Sequence, residues 1–215
     1  MNTVPAIDEE AAVLSGLRAP KPQGVPVAHS VWGTSIRFTI VTAILFGLAY
    51  PLAMTGIAHV LFPRQAAGSL IVLKNGRVIG SSLIAQSFTQ DKYFHPRPSD
   101  AGNGYDATSS SGSNLAQSNA KLAQRIQADI DALQKANPGK PVPIDMVTTS
   151  GSGLDPDITP DNAYYQAPRV AKARGMSEDA VRKLIAAHTE GRQLGFLGDP
   201  RVNVLELNLA LDAAK

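Results

Sequence analysis

The sequence predicts an α+β protein in which a single transmembrane helix precedes a mixed α+β domain outside the bilayer. Three observations lead to this fold class. One long apolar stretch carries no charged side chain, a strong β-hairpin signal surrounds Asn75-Gly76, and the later helices and strands follow one another without regular alternation.

The apolar stretch runs from Phe38 to Pro63 and reads "FTIVTAILFGLAYPLAMTGIAHVLFP", with no Asp, Glu, Lys or Arg over 26 residues. About 20 apolar residues cross a bilayer as a helix, because every backbone polar group is then paired internally. A buried helix in a soluble core is the alternative. A cleavable signal peptide is disfavoured, since the stretch starts late and Arg64 lies near any cleavage point. We therefore predict an uncleaved transmembrane helix over 36–63, bent at Pro51.

Composition excludes several function classes. The chain has 215 residues, a net charge of +2 and no cysteine, so it forms no disulfide or thiolate metal site and shows no basic run that would bind nucleic acid. Charge does not orient the helix in the membrane either, because three basic residues flank it on each side: Arg18, Lys21 and Arg37 before it, and Arg64, Lys74 and Arg77 after it.

The first 35 residues are rich in proline and glycine. The segment "APKPQGVP" favours extended chain and disfavours helix. A flexible N-terminal tail over 1–35 is the expectation.

The remaining residues, 64–215, form the predicted α+β domain. Ser69 to Gln86 reads as a β-hairpin, in which Asn75-Gly76 suits a tight two-residue turn. Tyr93 to Asn114 is rich in Gly, Ser and Asn and is expected to be a loop anchored by its aromatic residues. A helix should follow from Asn114 to Ala136, with one apolar stripe.

Further elements follow along the chain. Asp145 to Thr149 is predicted as a short strand. Thr159-Pro160 is a helix start, and that helix should run to Arg174 with Gly175 as its left-handed cap. Another helix should begin at Ser177 and extend to about Thr189. "VNVLELNLAL", 202–211, alternates well enough to predict a terminal strand with these inward candidates: Val202, Val204, Leu207, Leu209 and Leu211.

The sequence does not match the common catalytic, nucleotide-binding or metal-binding motifs. "SGSG" at 150–153 places glycines too close to Ser152 for a G-x-S-x-G nucleophile turn, and neither a P-loop nor a G-x-G-x-x-G motif occurs. An EF-hand reading of Asp155, Asp157, Thr159 and Asp161 requires Gly where Pro160 stands and Glu where Gln166 stands. The histidines show no metal-ligand spacing. No catalytic residue and no metal ligand is predicted, and a structural role for "SGSGLDPDITP" is preferred.

The order of several motifs resembles the C subunit of the bacterial Kdp high-affinity potassium-transporting ATPase. The resemblance extends from about Arg37 to Asp212 and rests on these stretches: "YPLAMTGIAHVLFP", "GSSLIAQSFTQDKYFHPRPS", "YDATSSSGSNLAQSN", "VTTSGSGLDPDITPDNAYYQAPRVAKARG" and "RVNVLELNLALD". The chain departs from the family pattern at Ala85, at Asp157, in "SNLAQSN" and in its long N-terminal tail.

The resemblance implies an accessory subunit of an ATP-driven potassium uptake pump in the bacterial inner membrane. It implies three protein partners: a channel-like potassium-translocating subunit, a P-type subunit that hydrolyses ATP with Mg²⁺, and a very small single-span subunit. It also implies a cytoplasmic tail and a periplasmic, that is extracytoplasmic, α+β domain. The chain lacks the D-K-T-G phosphorylation motif and a second span, which agrees with an accessory role.

The family resemblance suggests two activities for the domain. One is that of a catalytic chaperone that raises the ATP affinity of the hydrolysing subunit, with Gln86 in "LIAQSF" as the candidate nucleotide contact. The other is to cover the ion entrance of the channel-like subunit, for which the oxygen-rich loop 99–114 is a candidate. A free-standing membrane-anchored periplasmic enzyme or sensor is the alternative from a different class.

Overall fold

A computed structural model describes residues 31–214, and these divide into two compact units on either side of the Ile57–Ala58 bond. The first unit contains the beginning of a long apolar helix. The second contains the end of that helix and all of the following domain. The predicted tail 1–35 lies outside the described residues, except for its last five.

A continuous helix from Val31 to Leu61 contains most of the apolar stretch and begins five residues before the predicted start at 36, and none of its residues is buried. It consists of α1 (Val31–Ile44), a π-helical turn (Leu45–Ala49) and α2 (Tyr50–Leu61). Its length and composition suit a membrane span, and the absence of burial disfavours the core-helix alternative. The π-helical turn ends two residues before Pro51. A proline removes one backbone donor and crowds the carbonyl four residues earlier, and a wider turn accommodates both effects.

The predicted hairpin is confirmed, but its turn differs from the prediction. After the short helix α3 (Pro63–Ala66), strands β1 (Leu70–Val72) and β2 (Val78–Ser81) pair antiparallel. Leu73 N–H donates to the Arg77 carbonyl, and only Gly76 in the turn has a positive φ, of 80°. This is a three-residue turn ending in a left-handed glycine and a bulge, not the two-residue turn that Asn75-Gly76 suggested.

A long irregular segment joins the hairpin to helix α4 (Ala120–Ala136). The segment confirms the predicted loop over 93–114, and Phe94 within it is fully buried. Helix α4 begins six residues later than predicted because Asn119, whose side chain accepts from Lys121 N–H, caps it.

The strand predicted over Asp145 to Thr149 is wrong, since Ile144–Met146 forms a 3₁₀ turn. The Asp145 carboxylate accepts hydrogen bonds from the backbone and side chain of Thr159 and from the Asn162 amide. These bonds hold Asp145 at the start of the next helix instead of in a strand ladder.

A three-stranded antiparallel sheet and two capped helices form the centre of the domain. The strands are β3 (Asp157–Ile158), β4 (Thr189–Glu190) and β5 (Arg201–Asn203), in the order β3-β5-β4. Helix α5 (Pro160–Arg174) has the predicted caps: Thr159 accepts from Asn162 N–H, and Gly175 is left-handed with φ 66°. Helix α6 (Glu178–Ala187) has the predicted start, with Ser177 as its cap.

The predicted terminal strand over 202–211 is wrong beyond its first residues. β5 ends at Asn203, and helix α7 (Val204–Ala213) follows directly. The Asn203 side chain accepts from Glu206 N–H at 3.1 Å and so starts the helix. Val204, Leu207 and Leu211 recur at helical spacing, and this pattern prevails over the alternation that we read as a strand.

The hydrophobic core lies between α5, α6, α7 and the three-stranded sheet. Its members are buried side chains from all of these elements together with Phe94 from the long loop: Phe94, Ile158, Ala163, Ala167, Val170, Ala171, Val181, Ile185, Val202, Val204, Leu207 and Leu211. Four of the five inward candidates, at 202, 204, 207 and 211, are buried as predicted, though mostly from a helix. The prediction for Leu209 is wrong, since this residue is only half-buried.

Candidate functional site

The Gln86 side chain, the candidate nucleotide contact, is half-buried and bonded inside the domain. Its amide Nε2 donates to the Ile79 carbonyl at 2.9 Å. A Cβ atom placed on Gly80 would collide with this amide. Ala85, next to it, is buried and donates its N–H to the Leu154 carbonyl. Gln86 thus fastens β2 to the segment that follows it, and its contact with nucleotide stays a prediction.

The "SGSG" stretch packs backbone to backbone against the loop 99–114. Ser152 accepts at its carbonyl from Ser111 N–H and from the Ser110 hydroxyl, while its own Oγ accepts from Leu154 N–H at 3.1 Å. Gly153 has φ 68°, and a Cβ there would meet the Ser111 carbonyl at 2.6 Å. Gly153 is therefore required for the close approach of the two loop segments, which agrees with the structural role preferred from the sequence.

Ser99 joins the same two loops from the other side. Its hydroxyl donates to the Gly153 carbonyl at 2.6 Å and accepts from Tyr105 N–H at 2.8 Å. The Tyr105 hydroxyl donates to the Arg97 carbonyl at 2.8 Å, and burial raises the pKa of that phenol. The oxygen-rich loop proposed to face an ion entrance is thus held in one conformation by its own hydroxyl groups.

The carboxylates that were considered for an EF-hand site pair with different arginines. Asp155 pairs with Arg97 at 3.0 Å, whereas Asp157 pairs with Arg201 at 3.2 Å. Burial raises the pKa of Asp157, and the Arg201 charge opposes the rise. Within residues 31–214 no cluster of three or more His, Cys, Asp or Glu residues is placed to hold a metal ion.

Two buried amide side chains, for which the sequence predicted no such role, hold the backbone of the long loop. Asn208 accepts from Phe94 N–H at 2.8 Å and donates to the Phe94 carbonyl at 3.0 Å. Gln166 makes the same pair of bonds to the next residue, His95, at 2.8 Å and 3.0 Å. A buried Asn or Gln at helical spacing among core residues is the sequence signal that could have indicated these contacts.

The Gln166 amide also belongs to a chain of hydrogen-bonded polar groups. Asn162 Oδ1 accepts from Gln166 Nε2 at 2.7 Å, and the Asn162 amide donates to Asp145. At the other end, Arg169 donates to Gln166 Oε1 at 2.6 Å and to the Asp91 carbonyl at 2.7 Å. The chain connects the start of α5 to the beginning of the long loop.

Burial lowers the pKa of the His95 imidazole, and the positive charge of Arg169 adds to this effect. Burial also lowers the pKa of Arg169, which Asp91 opposes. Arg169 and His95 border a cavity of about 810 Å³ together with Phe88, Tyr165 and Leu133. Since Arg169 bonds both to the Gln166 side chain and to the Asp91 carbonyl, the arrangement is first of all a structural one.

Residues 32–213 match the family model KdpC, described as "K+-transporting ATPase, c chain". Proteins called potassium-transporting ATPase KdpC subunit are similar over most of the chain. That of Koribacter versatilis is 58% identical over 182 residues, which are 85% of this chain and 94% of the relative. That of Acidobacterium capsulatum is 60% identical over 179 residues, which are 83% of this chain and 96% of the relative. That of a Rhodopseudomonas palustris strain is 58% identical over 186 residues, which are 81% of this chain and 92% of the relative.

Proposed function

The chain belongs to the KdpC family of K⁺-transporting ATPase subunits, and from this we propose that it is the accessory subunit that completes a potassium uptake pump by docking its outer domain on larger partners. The match of residues 32–213 to the family carries the proposal. Its three protein partners are the channel-like potassium-translocating subunit, the P-type ATP-hydrolysing subunit and the very small single-span subunit.

The helix Val31–Leu61 is the proposed anchor in the inner membrane, with the N-terminus in the cytoplasm and the domain in the periplasm. No residue along this helix is buried, as expected of a span that lipid or partner helices cover. Because the chain has no cysteine, orientation is testable with one introduced thiol at a time. Ile144→Cys should react with a membrane-impermeant maleimide on intact spheroplasts, and Ser15→Cys only after lysis; the opposite result would refute this orientation.

The hydrogen bonds inside the outer domain agree with a docking role. The hydroxyl groups of the loop 99–114 and of Ser152 bond within the domain, and the Gln86 amide bonds to Ile79. Because ATP is available in the cytoplasm, a periplasmic Gln86 would not reach it. These points favour a subunit that positions or covers the outer face of the channel-like subunit over one that binds nucleotide.

Assembly is the decisive test. A tagged full chain, co-expressed with its partners, should co-purify with the channel-like and ATP-hydrolysing subunits and with potassium-stimulated ATPase activity. Deleting 38–63 should abolish co-purification. A matched chain in which an unrelated apolar helix of the same length replaces 38–63 separates anchoring from recognition by the helix itself, and its co-purification would show that the outer domain contributes to docking.

The alternative, a free-standing anchored enzyme or sensor, makes opposite predictions. The wild-type chain would then purify alone, and Ser152→Ala would abolish its activity. In the pump, Ser152→Ala should leave potassium-stimulated ATPase activity within about twofold of wild type, because the Ser152 carbonyl bonds remain and only one local turn contact is lost.

A further inference from the structure

The hairpin formed by β1 and β2, together with the turn that follows it, exposes a patch of large apolar side chains. Their exposed fractions range from 36% for Leu73 to 60% for Leu83. We call this set the hairpin patch, and its members are Leu70, Val72, Leu73, Val78, Leu83 and Ile84. Neighbouring exposed apolar side chains of this kind mark interaction sites, whereas single scattered ones do not.

The strand residues of the hairpin patch lie on one face of the hairpin. Leu70 and Val72 alternate along β1 and so share a face, and Val78 is the register partner of Val72. The other face packs on the domain, since a Cβ atom placed on Gly80 would meet a methyl carbon of Leu205 at 3.1 Å. The hairpin therefore turns an apolar face outward while its inner face is already occupied.

The hairpin is bonded to the short connection that leaves the long apolar helix. Residues 62–69 alone join the end of that helix to β1. Within the connection, Ser69 N–H donates to the Arg64 carbonyl at 2.9 Å, and from β2 the Ser81 hydroxyl donates to the Gly68 carbonyl at 2.8 Å. Because a chain spans at most about 3.5 Å per residue, the hairpin begins within about 30 Å of the helix end.

The region around the hairpin patch carries basic groups and no carboxylate. From Phe38 to Gln90 the sequence contains no Asp or Glu, and after the helix it contains Arg64, Lys74 and Arg77. Lys74 and Arg77 are exposed at the hairpin turn, and neither forms an ion pair with another residue of 31–214. Basic groups next to a membrane span attract anionic lipid headgroups.

We propose that the hairpin patch lies in the interface of an anionic lipid bilayer, on the domain's side of the membrane. Its apolar side chains enter the boundary between headgroups and acyl chains, and Lys74 and Arg77 face the lipid phosphate groups. Exposed apolar side chains combined with basic groups are the features that hold an element in this interface. The inference rests on the proposed membrane anchor and adds a second membrane contact, made by the folded domain.

Position and charge favour lipid over protein as the occupant. A second copy of the chain would bring the same positive charges to the contact, and these repel. A partner subunit would need a surface both apolar and acidic beside the anchor, whereas anionic lipid supplies both features at once. The anchor also confines the hairpin to the membrane surface, so even a weak contact with lipid forms at a high effective concentration.

The test uses one introduced thiol in the cysteine-free full chain, placed without partners at one chain per nanodisc. The thiol carries a fluorophore, and the nanodiscs contain phosphatidylglycerol and phosphatidylcholine with either ordinary or brominated acyl chains. Bromine quenches the fluorophore only at short range. Val72→Cys should be quenched at least about threefold more than two exposed controls, Asn75→Cys at the hairpin turn and Ile144→Cys elsewhere in the domain.

A second set of variants tests the basic groups. Lys74→Gln combined with Arg77→Gln should retain the thermal unfolding midpoint, because both side chains are exposed. It should reduce the quenching of Val72→Cys by at least about twofold. The matched control, Lys140→Gln combined with Lys183→Gln, removes the same charge from exposed positions elsewhere and should leave the quenching unchanged.

Several results would overturn the inference. Equal quenching at 72, 75 and 144 means that the hairpin patch does not enter the lipid. A fluorophore at 72 that is shielded from water in the co-expressed complex, but not quenched by brominated lipid in the lone chain, means that a partner subunit covers the patch. Quenching that survives the loss of both basic groups refutes the role of anionic headgroups. A chain that never enters nanodiscs refutes the proposed anchor itself, whereas entry without quenching at 72 refutes this inference alone.

Discussion

The Asn208 side chain bonds both backbone groups of Phe94, accepting from its N–H at 2.8 Å and donating to its carbonyl at 3.0 Å. Asn208 lies on α7 and Phe94 lies on the long loop, 114 residues earlier. Both residues are buried. A side-chain amide here replaces the strand partner that the loop backbone lacks, because buried backbone groups need a hydrogen-bond partner.

The first prediction concerns this amide. Asn208→Ala leaves two buried backbone groups of Phe94 without partners, and we expect a loss of about 2–4 kcal/mol in the free energy of unfolding. Asn103→Ala, at an exposed asparagine, is the control and should change the stability by less than about 0.5 kcal/mol. Urea unfolding of the full chain in detergent measures both. An unchanged midpoint for Asn208→Ala would show that the bond pair is energetically unimportant.

The second prediction compares two glycines of the same stretch. Gly153→Ala places a Cβ on a residue with φ 68°, against the Ser111 carbonyl and the Ala101 backbone, and should cost at least about 2 kcal/mol. Gly151→Ala meets nothing within 4 Å and should cost less than about 1 kcal/mol. Thermal unfolding compares the two variants. Equal losses would contradict the close approach of the two loops at Gly153.

The third prediction concerns pH. The pKa of His95 is lowered in the folded state by burial and by Arg169, with the Gln90 carbonyl and Asp91 opposing. Between the lowered pKa and the ordinary value near 6.5, the unfolded state binds the extra proton, so His95 contributes stability at neutral pH that is lost as the pH falls.

His95→Asn should therefore flatten the decrease in unfolding free energy between about pH 7.5 and pH 5.5. The measurement is the difference between wild type and variant in denaturant unfolding at the two pH values. That difference separates His95 from carboxylates such as Asp157, whose raised pKa acts in the opposite direction at lower pH. Parallel curves for the two proteins would contradict the prediction.

The fourth prediction tests the structural contact between Gln86 and Gly80. Gly80→Ala should be destabilising because its Cβ would collide with the Gln86 amide, and Gln86→Ala should relieve part of that loss. We expect a coupling energy of at least about 1 kcal/mol in the double-mutant cycle. Additive losses would mean that the two residues do not interact in the folded chain.

The same Gln86→Ala variant, placed in the assembled pump, examines the nucleotide contact suggested by the family resemblance. A purely structural Gln86 predicts that the ATP concentration for half-maximal hydrolysis shifts by no more than about twofold. A large rise in that concentration, with the complex intact, would instead support the nucleotide contact.

Local signals in the sequence were sufficient for some elements. The missing charges between Arg37 and Arg64 predicted the long apolar helix, because no side chain there favours water. Thr159, Ser177 and Gly175 marked helix ends correctly, since a cap is a contact between residues only a few positions apart. Such interactions are readable without knowledge of the fold.

Other elements depended on contacts that are distant along the chain. The segment 202–211 fits alternation and helical spacing at once, and the Asn203 cap and the core against α6 selected the helix. Asp145 lies in a 3₁₀ turn and not in the predicted strand, because Thr159 and Asn162 donate hydrogen bonds to its carboxylate.

By itself, the sequence determined the long apolar helix, the hairpin, the helix caps and the resemblance to the family, all of which arise from composition or short-range spacing. Only the tertiary structure decided which polar groups are hydrogen-bonded within the domain. It showed that the amides of Asn208 and Gln166 hold the long loop, and that Gly153 allows the loop 99–114 to approach closely. It also left Leu70 and Val72 exposed, because burial and hydrogen bonding are properties of residues brought together in space.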